Sequence, residues 1–157
     1  MTPRPDSGTR ADVLAVCSGG GHWVEMRRLL PAFHGLAIVF ASVPGVAGDI
    51  AKGARFYEIT DVTRWSRLAF LHVAWQLWHI FRRERPALVI TTGAAPGLIA
   101  LIIGKAFGAH TIWIDSIANV DKLSLSGRLA GRFSDIWLTQ WEHLAMPEGP
   151  QFYGKVL

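Results

Sequence analysis

PALVITTGAAPGLIALIIGKAFGAHTIWIDS, residues 86–116, decides the fold. Its first 19 residues, Pro86 to Gly104, carry no charge and are long enough to suggest a transmembrane helix. Pro86, Gly93, Pro96 and Gly97 break that reading. ALVITTG (87–93) is a strand-like apolar run that ends in glycine. A helix follows over 97–107, and HTIWIDS (110–116) is a second strand. Strand, tight loop, buried helix and strand form the repeating unit of a parallel α/β sheet.

The same alternation extends in both directions. Towards the N-terminus lie a long helix over 66–84, which stops before Pro86, and the strands RFYEIT (55–60), LAIVFAS (36–42) and VLAVCS (13–18). GVAGDIAKGA (45–54) reads as a glycine-rich loop or short helix. A glycine triplet and a helix over 22–34 follow the first strand. Towards the C-terminus come a short helix over 125–133 and the strand DIWLTQW (135–141). The expectation is one Rossmann-like domain over 12–157 with a parallel sheet covered on both faces, preceded by a flexible tail over 1–11.

Composition agrees. Apolar residues make up 50% of the 157 and charged residues 18%, so a core can form and disorder is excluded for most of the chain. The single cysteine, Cys17, excludes an internal disulfide and a cysteine zinc cluster. The N-terminal MTPRPDSGTRAD has no apolar run and reads as neither a signal peptide nor an anchor.

In such sheets ligands bind beyond the carboxyl ends of the strands. The residues expected there run from Ser18 to His22, Ser42 to Gly45, Gly93 to Gly97, Asp115 to Asp121 and Gln140 to Glu142. Ser18-Gly19-Gly20-Gly21-His22 lets a backbone approach a ligand at a helix start, a setting that suits phosphate. It is not a dinucleotide fingerprint, because Val24 stands where the third glycine belongs and Ser42 where an acid would. Gly104-Lys105 lacks Walker A spacing. No metal-ligand spacing occurs. His22 can bind a diphosphate, act as a general base, or simply cap the helix. Asp115 can be a base, hold a hydroxyl, or cap a loop. Trp141 can stack on a sugar while Glu142 takes hydroxyl hydrogen bonds; Trp141 can equally be core.

Residues 64–85, RWSRLAFLHVAWQLWHIFRRER, carry five arginines and one glutamate, a balance equal to the +4 of the whole chain. His72, Gln76, His79 and Arg83 form a polar stripe at helical spacing. The uncharged centre is too short to span a bilayer. Aromatic residues between arginine ends suit a helix lying in the membrane interface. Trp65, Phe70, Leu71, Trp75, Trp78, Phe81, Arg82 and Arg83 are the expected contacts, and packing on the sheet is the alternative. The charge is too focused to favour nucleic acid.

Once these pieces are assembled, a family resemblance is visible. SGGGHWVEMRRLL (18–30) is similar to the Gly-Gly-His start of split, UDP-sugar-dependent glycosyltransferases. The stretch from Glu84 to Glu142 strongly resembles their second half, and FYGKVL (152–157) their closing aromatic-glycine segment. The chain most resembles their membrane-recruiting, acceptor-side subunits, found in the GlcNAc transferase of N-glycan assembly and in bacterial capsule and exopolysaccharide synthesis.

The resemblance implies the N-terminal half of a GT-B glycosyltransferase. A partner subunit would supply the donor half and bind most of the UDP-sugar, a substrate carrying GlcNAc or a related sugar. No cofactor and no metal are implied. The acceptor would be a polyprenyl-diphosphate-linked sugar on the cytoplasmic face of a membrane, where the chain sits peripherally. His22 and Asp115 become the candidate catalytic residues. Ser18, Gly19, Gly20, Gly21, Gly93, Ala94, Ser116, Asn119, Trp141 and Glu142 become candidate substrate contacts. Many relatives carry Glu where this chain has Asp115, and Arg or a similar long side chain near Asn119. Phe152, Tyr153, Val156 and Leu157 form an apolar tail that docks on the partner or folds back. Two other readings stay open: a non-catalytic membrane scaffold for the catalytic subunit, and a stand-alone nucleotide-sugar-binding domain.

Overall fold

A computed structural model describes residues 10–46, 54–62 and 67–156. Seven strands, β1 (Val13–Val16), β2 (Ile38–Ser42), β3 (Arg55–Glu58), β4 (Leu88–Thr91), β5 (His110–Ile114), β6 (Ile136–Thr139) and β7 (Gln151–Phe152), make one sheet. Its order is β3-β2-β1-β4-β5-β6-β7 and every neighbouring pair is parallel. The chain winds outward from β1 to β3, then returns to lay β4 against the other side of β1. The crevice between the carboxyl ends of β1 and β4 is therefore the topological switch point.

The alternation of β1 explains the two cores. Leu14 and Val16 face a layer made by helices α2 (Arg67–Glu84), α3 (Ala94–Ala106) and α4 (Leu125–Ala130), including Val73, Leu77, Phe81, Ala100 and Leu101. Val13, Ala15 and Cys17 face Trp23 and Met26 of α1 (Gly21–Leu29). Each fully buried large side chain contributes roughly 1.5–3 kcal/mol. Trp23 meets Phe40 and Phe56 edge-on, at centroid distances of 5.8 and 6.2 Å.

Boundaries depart from expectation where local chemistry intervenes. The helix expected over 22–34 ends at Leu29 and tightens into a 3-10 turn over Leu30–Phe33, with Pro31 in its first turn. The helix expected from 97 starts at Ala94, because Pro96 is tolerated in a first turn, where no helical N–H is needed. Ala11, assigned to the tail, is buried, and its N–H donates to the Glu84 carbonyl. The packed domain thus includes residue 11. Most of the 45–54 loop, and residues 1–9 of the tail, lie outside the described residues.

Candidate active site at the switch point

Two helices begin at this crevice. The residue preceding α1 is Gly20, at φ +63°, and the residue preceding α3 is Gly93, at φ +123°. Left-handed values there favour glycine. Neither helix start receives a side-chain cap, so both offer backbone N–H groups on the edge where β1 and β4 end.

His22 joins the two starts. Its Nδ1 lies 2.8 Å from the Thr92 carbonyl, and Thr92 Oγ1 donates back to the His22 carbonyl at 2.7 Å. A carbonyl can only accept, so Nδ1 carries a proton, and in the neutral tautomer the lone pair is on Nε2. Among the described residues Nε2 has no hydrogen-bond partner. A Cβ at Gly93 would stand 2.8 Å from His22 Cε1, so glycine is what lets the ring sit over this loop. Ala94 follows at φ +65°, an unfavourable conformation for a residue with a Cβ. Ser18, Gly19, Gly20, Gly21, His22, Gly93 and Ala94, drawn from two distant stretches of sequence, are thereby assembled on one edge. Below them Cys17 is buried, which pushes its thiol up to about 12, with hydrogen bonding to Ser42 and Thr92 opposing and the charge of Glu25 adding. It stays protonated and unreactive at neutral pH.

Asp115 is arranged differently from the expected base. It is buried, and its Oδ1 accepts from Trp113 Nε1 at 3.1 Å and Ser124 Oγ at 2.8 Å. Its Oδ2 accepts from Asn119 Nδ2 at 2.9 Å and the Ser124 amide at 3.2 Å. Four donors occupy the carboxylate, so it organises the loop that enters α4 and is not poised over the crevice. Asn119 is one of those four. Trp141 Nε1 donates to the Ile117 carbonyl at 2.8 Å, and the Lys155 ammonium sits 4.1 Å from the ring centroid. One face of Trp141 is thus already covered. Glu142 is exposed on a 3-10 turn over Glu142–Leu144.

The α2 segment presents a mixed surface. Val73, Leu77, Ile80, Phe81 and Glu84 point into the protein. Phe81, expected at the membrane, is fully buried beside Phe107, because the helix turns that position onto the sheet. Gln76, expected in a polar stripe, accepts the Thr60 amide at 2.9 Å. The outward face carries Leu68, Leu71, Trp75 and Trp78, which are 78%, 69%, 58% and 44% exposed, beside the exposed His72, His79 and Arg83 of that stripe. Phe70, Arg82 and Arg83 are also exposed, and Trp65 lies outside the described residues. No helix among the described residues is long and apolar enough to cross a membrane.

A family model described as oligosaccharide biosynthesis protein Alg14-like matches residues 49–156. The chain belongs to this family. It is 25% identical to the "UDP-N-acetylglucosamine transferase subunit ALG14" of Eremothecium gossypii, over 88% of this chain and 76% of that one. It is 24% identical to the human protein of the same description, over 92% of this chain and 80% of that one. Among solved structures, MurG of Acinetobacter baumannii superposes with a TM-score of 0.62 at 12% identity, over 92% of this chain and 44% of that one. A UDP-GlcNAc 2-epimerase from Neisseria meningitidis gives 0.63 at 12% identity, over 83% of this chain and 41% of that one. The chain therefore spans less than half of either neighbour and matches a single Rossmann-like half.

Within this Alg14-like domain, sequence reasoning missed two residues. Thr92 fixes His22 from both sides. Glu25, one turn after His22 on α1, is 4% exposed, and its Oε1 accepts from Ser116 Oγ at 3.0 Å and the Ile117 amide at 2.9 Å. Ser116, expected to touch substrate, is thereby tied to α1. The i, i+3 spacing of His22 and Glu25 was the available signal, since both must lie on one helical face.

Proposed function

We propose that the chain is the acceptor-side subunit of a two-part, UDP-GlcNAc-dependent glycosyltransferase acting on a polyprenyl-diphosphate-linked sugar at a membrane surface. His22, held by Thr92 with Nε2 unpartnered among the described residues and set over two helix starts without side-chain caps, is the observation that carries this reading. The descriptions of the Eremothecium gossypii and human relatives support the donor class and the subunit role. The match to a single Rossmann-like half of two larger neighbours supports a partner that supplies the donor-binding half.

In this mechanism the acceptor hydroxyl attacks the anomeric carbon of the donor, and its proton passes to His22 Nε2. The bond from that carbon to UDP breaks, and UDP leaves with the electron pair. The N–H groups at Gly21 and Ala94 hold the acceptor diphosphate beside the reacting hydroxyl. Asp115 organises the neighbouring loop and takes no proton. The exposed apolar face of α2 rests on the membrane that carries the acceptor. The C-terminal segment packs back in part, since the Val156 amide donates to Gln140 Oε1 at 2.8 Å. The exposed Tyr153 is left for the partner.

The test is reconstitution with the donor-binding partner and a GlcNAc transfer assay. Transfer should require both chains. His22→Ala and His22→Gln should each lower kcat by roughly 10²–10⁴-fold while the pair still assembles. Activity within about threefold of wild type, under roughly 0.7 kcal/mol, would leave only the scaffold reading.

A further inference from the structure

The end of the molecule opposite the switch point holds a second feature, which the mechanism does not use. Arg10 precedes β1, Arg82 lies in the last turn of α2, and Arg85 and Pro86 precede β4. Together with Trp78 and Phe107 they line a groove of about 540 Å³. Arg10 Nε donates to the Arg85 carbonyl at 2.7 Å, which fixes that side chain and leaves its two terminal nitrogens. No carboxylate pairs with Arg10, Arg82 or Arg85 among the described residues. The wall is aromatic, with Trp78 and Phe107 edge-to-face at 4.9 Å.

The groove is continuous with the apolar face of α2. Leu68, Leu71, Trp75, Trp78 and Arg82 follow alternating three- and four-residue steps, so they share one side of the helix. An apolar stripe that ends in three guanidinium groups with no carboxylate partner among the described residues matches the two parts of an amphiphile, a hydrocarbon layer and an anionic head. Guanidinium groups pair with phosphate oxygens through forked N–H donors.

We propose that this groove binds the phosphate of an anionic phospholipid head group and so sets how the domain lies on the membrane. The occupant is lipid and not a soluble phosphate because the site opens beside exposed Trp and Leu side chains. The inference rests on the membrane-facing reading of α2 given above. It predicts a composition preference that the apolar stripe alone does not.

The experiment is co-sedimentation of the full chain with vesicles of phosphatidylcholine alone and of phosphatidylcholine mixed with phosphatidylglycerol. The wild type should bind the anionic vesicles more tightly. Arg10→Gln/Arg82→Gln/Arg85→Gln should lose roughly 100-fold on anionic vesicles, from the loss of three basic side chains near the surface. The same variant should bind neutral vesicles unchanged. Arg82→Glu alone, at an exposed position, provides a second variant with the same direction of effect. Equal wild-type binding to both vesicle types, or a triple variant that binds anionic vesicles like wild type, overturns the proposal. Inorganic phosphate should displace the chain no better than chloride at matched ionic strength; specific displacement would reassign the groove to a soluble phosphate. The assay uses neither donor nor acceptor. Its failure leaves the transferase reading standing, and a pair without transferase activity leaves the groove standing.

Discussion

His22 and Asp115 both sit just past strand ends on the same edge of the sheet, yet their hydrogen-bond inventories are opposite. His22 spends one nitrogen on the Thr92 carbonyl and keeps the other unpartnered among the described residues. Asp115 accepts from four donors and has nothing left to offer a substrate. Both residues titrate and both lie where ligands bind in this architecture. What separates a candidate base from a structural carboxylate is the remaining valence, and that depends on groups far away in sequence.

The largest expected effect breaks this comparison most directly. Asp115→Ala leaves the Trp113, Asn119 and Ser124 donors without their acceptor and should cost about 3–5 kcal/mol of stability. His22→Ala loses one hydrogen bond and should cost about 1 kcal/mol, despite its effect on turnover. Urea unfolding midpoints of the two variants check the difference. Equal destabilisation would mean that His22 is as structural as Asp115.

Gly93 sharpens the same contrast from the backbone side. At φ +123°, with a prospective Cβ 2.8 Å from the His22 ring, Gly93→Ala meets both strain and a clash. It should cost about 2 kcal/mol and displace the imidazole, so that transfer activity falls with it. Gly20→Ala has the strain of φ +63° but open space around the new methyl. It should cost roughly 1–3 kcal/mol of backbone strain and leave His22 in place. Histidine ring shifts in NMR spectra distinguish the two; a ring unmoved by Gly93→Ala would remove the role given to that glycine.

These residues also mark how far the sequence could be read. Apolar runs broken by Gly and Pro defined six strands and their alternation with helices, because burial on both faces leaves an unambiguous signature. The order of the strands was not legible, since pairing is decided in three dimensions. β7 was missed because it has two residues and follows Pro150, too short for any period. The glycine loop and Gly93-Ala94 were each legible as ligand-suited turns, whereas their union through His22 and Thr92 was not. Phe81 was misplaced because composition showed a helix rich in aromatics but not which side would face the sheet. For Asp115 the base and loop-capping alternatives stay open in sequence, because a strand-end carboxylate looks alike whether its oxygens are taken or open. Glu25 went unnoticed inside a helix whose visible signal was its glycine start.

Ala94 carries a smaller effect at the same loop. Its φ of +65° is a conformation that costs a residue with a Cβ. Ala94→Gly should relieve about 1 kcal/mol, seen as a raised melting temperature. If the strain serves to aim the backbone N–H groups, the same variant should raise the KM for the acceptor while leaving kcat within twofold or so. A variant that gains stability without a change in KM would show that the conformation is incidental to binding.

The smallest effect lies away from the site, at the ion pair between Lys105 and Asp135 that ties α3 to the start of β6. The Lys105 ammonium, helped by the Thr111 amide and hydroxyl and partly opposed by burial, holds the Asp135 carboxyl below its ordinary range. A depressed folded-state pKa stabilises the protein above the unfolded carboxyl value. That contribution disappears as the pH falls through the folded one. Both side chains are more than a third exposed, at 39% and 37%, so solvent screening limits the pair to about 0.5 kcal/mol. Asp135→Asn should therefore lower the unfolding free energy slightly at pH 7, and the gap to wild type should close below about pH 4. A deficit for Asp135→Asn that grows in acid would reverse the sign and remove the stabilising role given to the ionised Asp135 carboxylate.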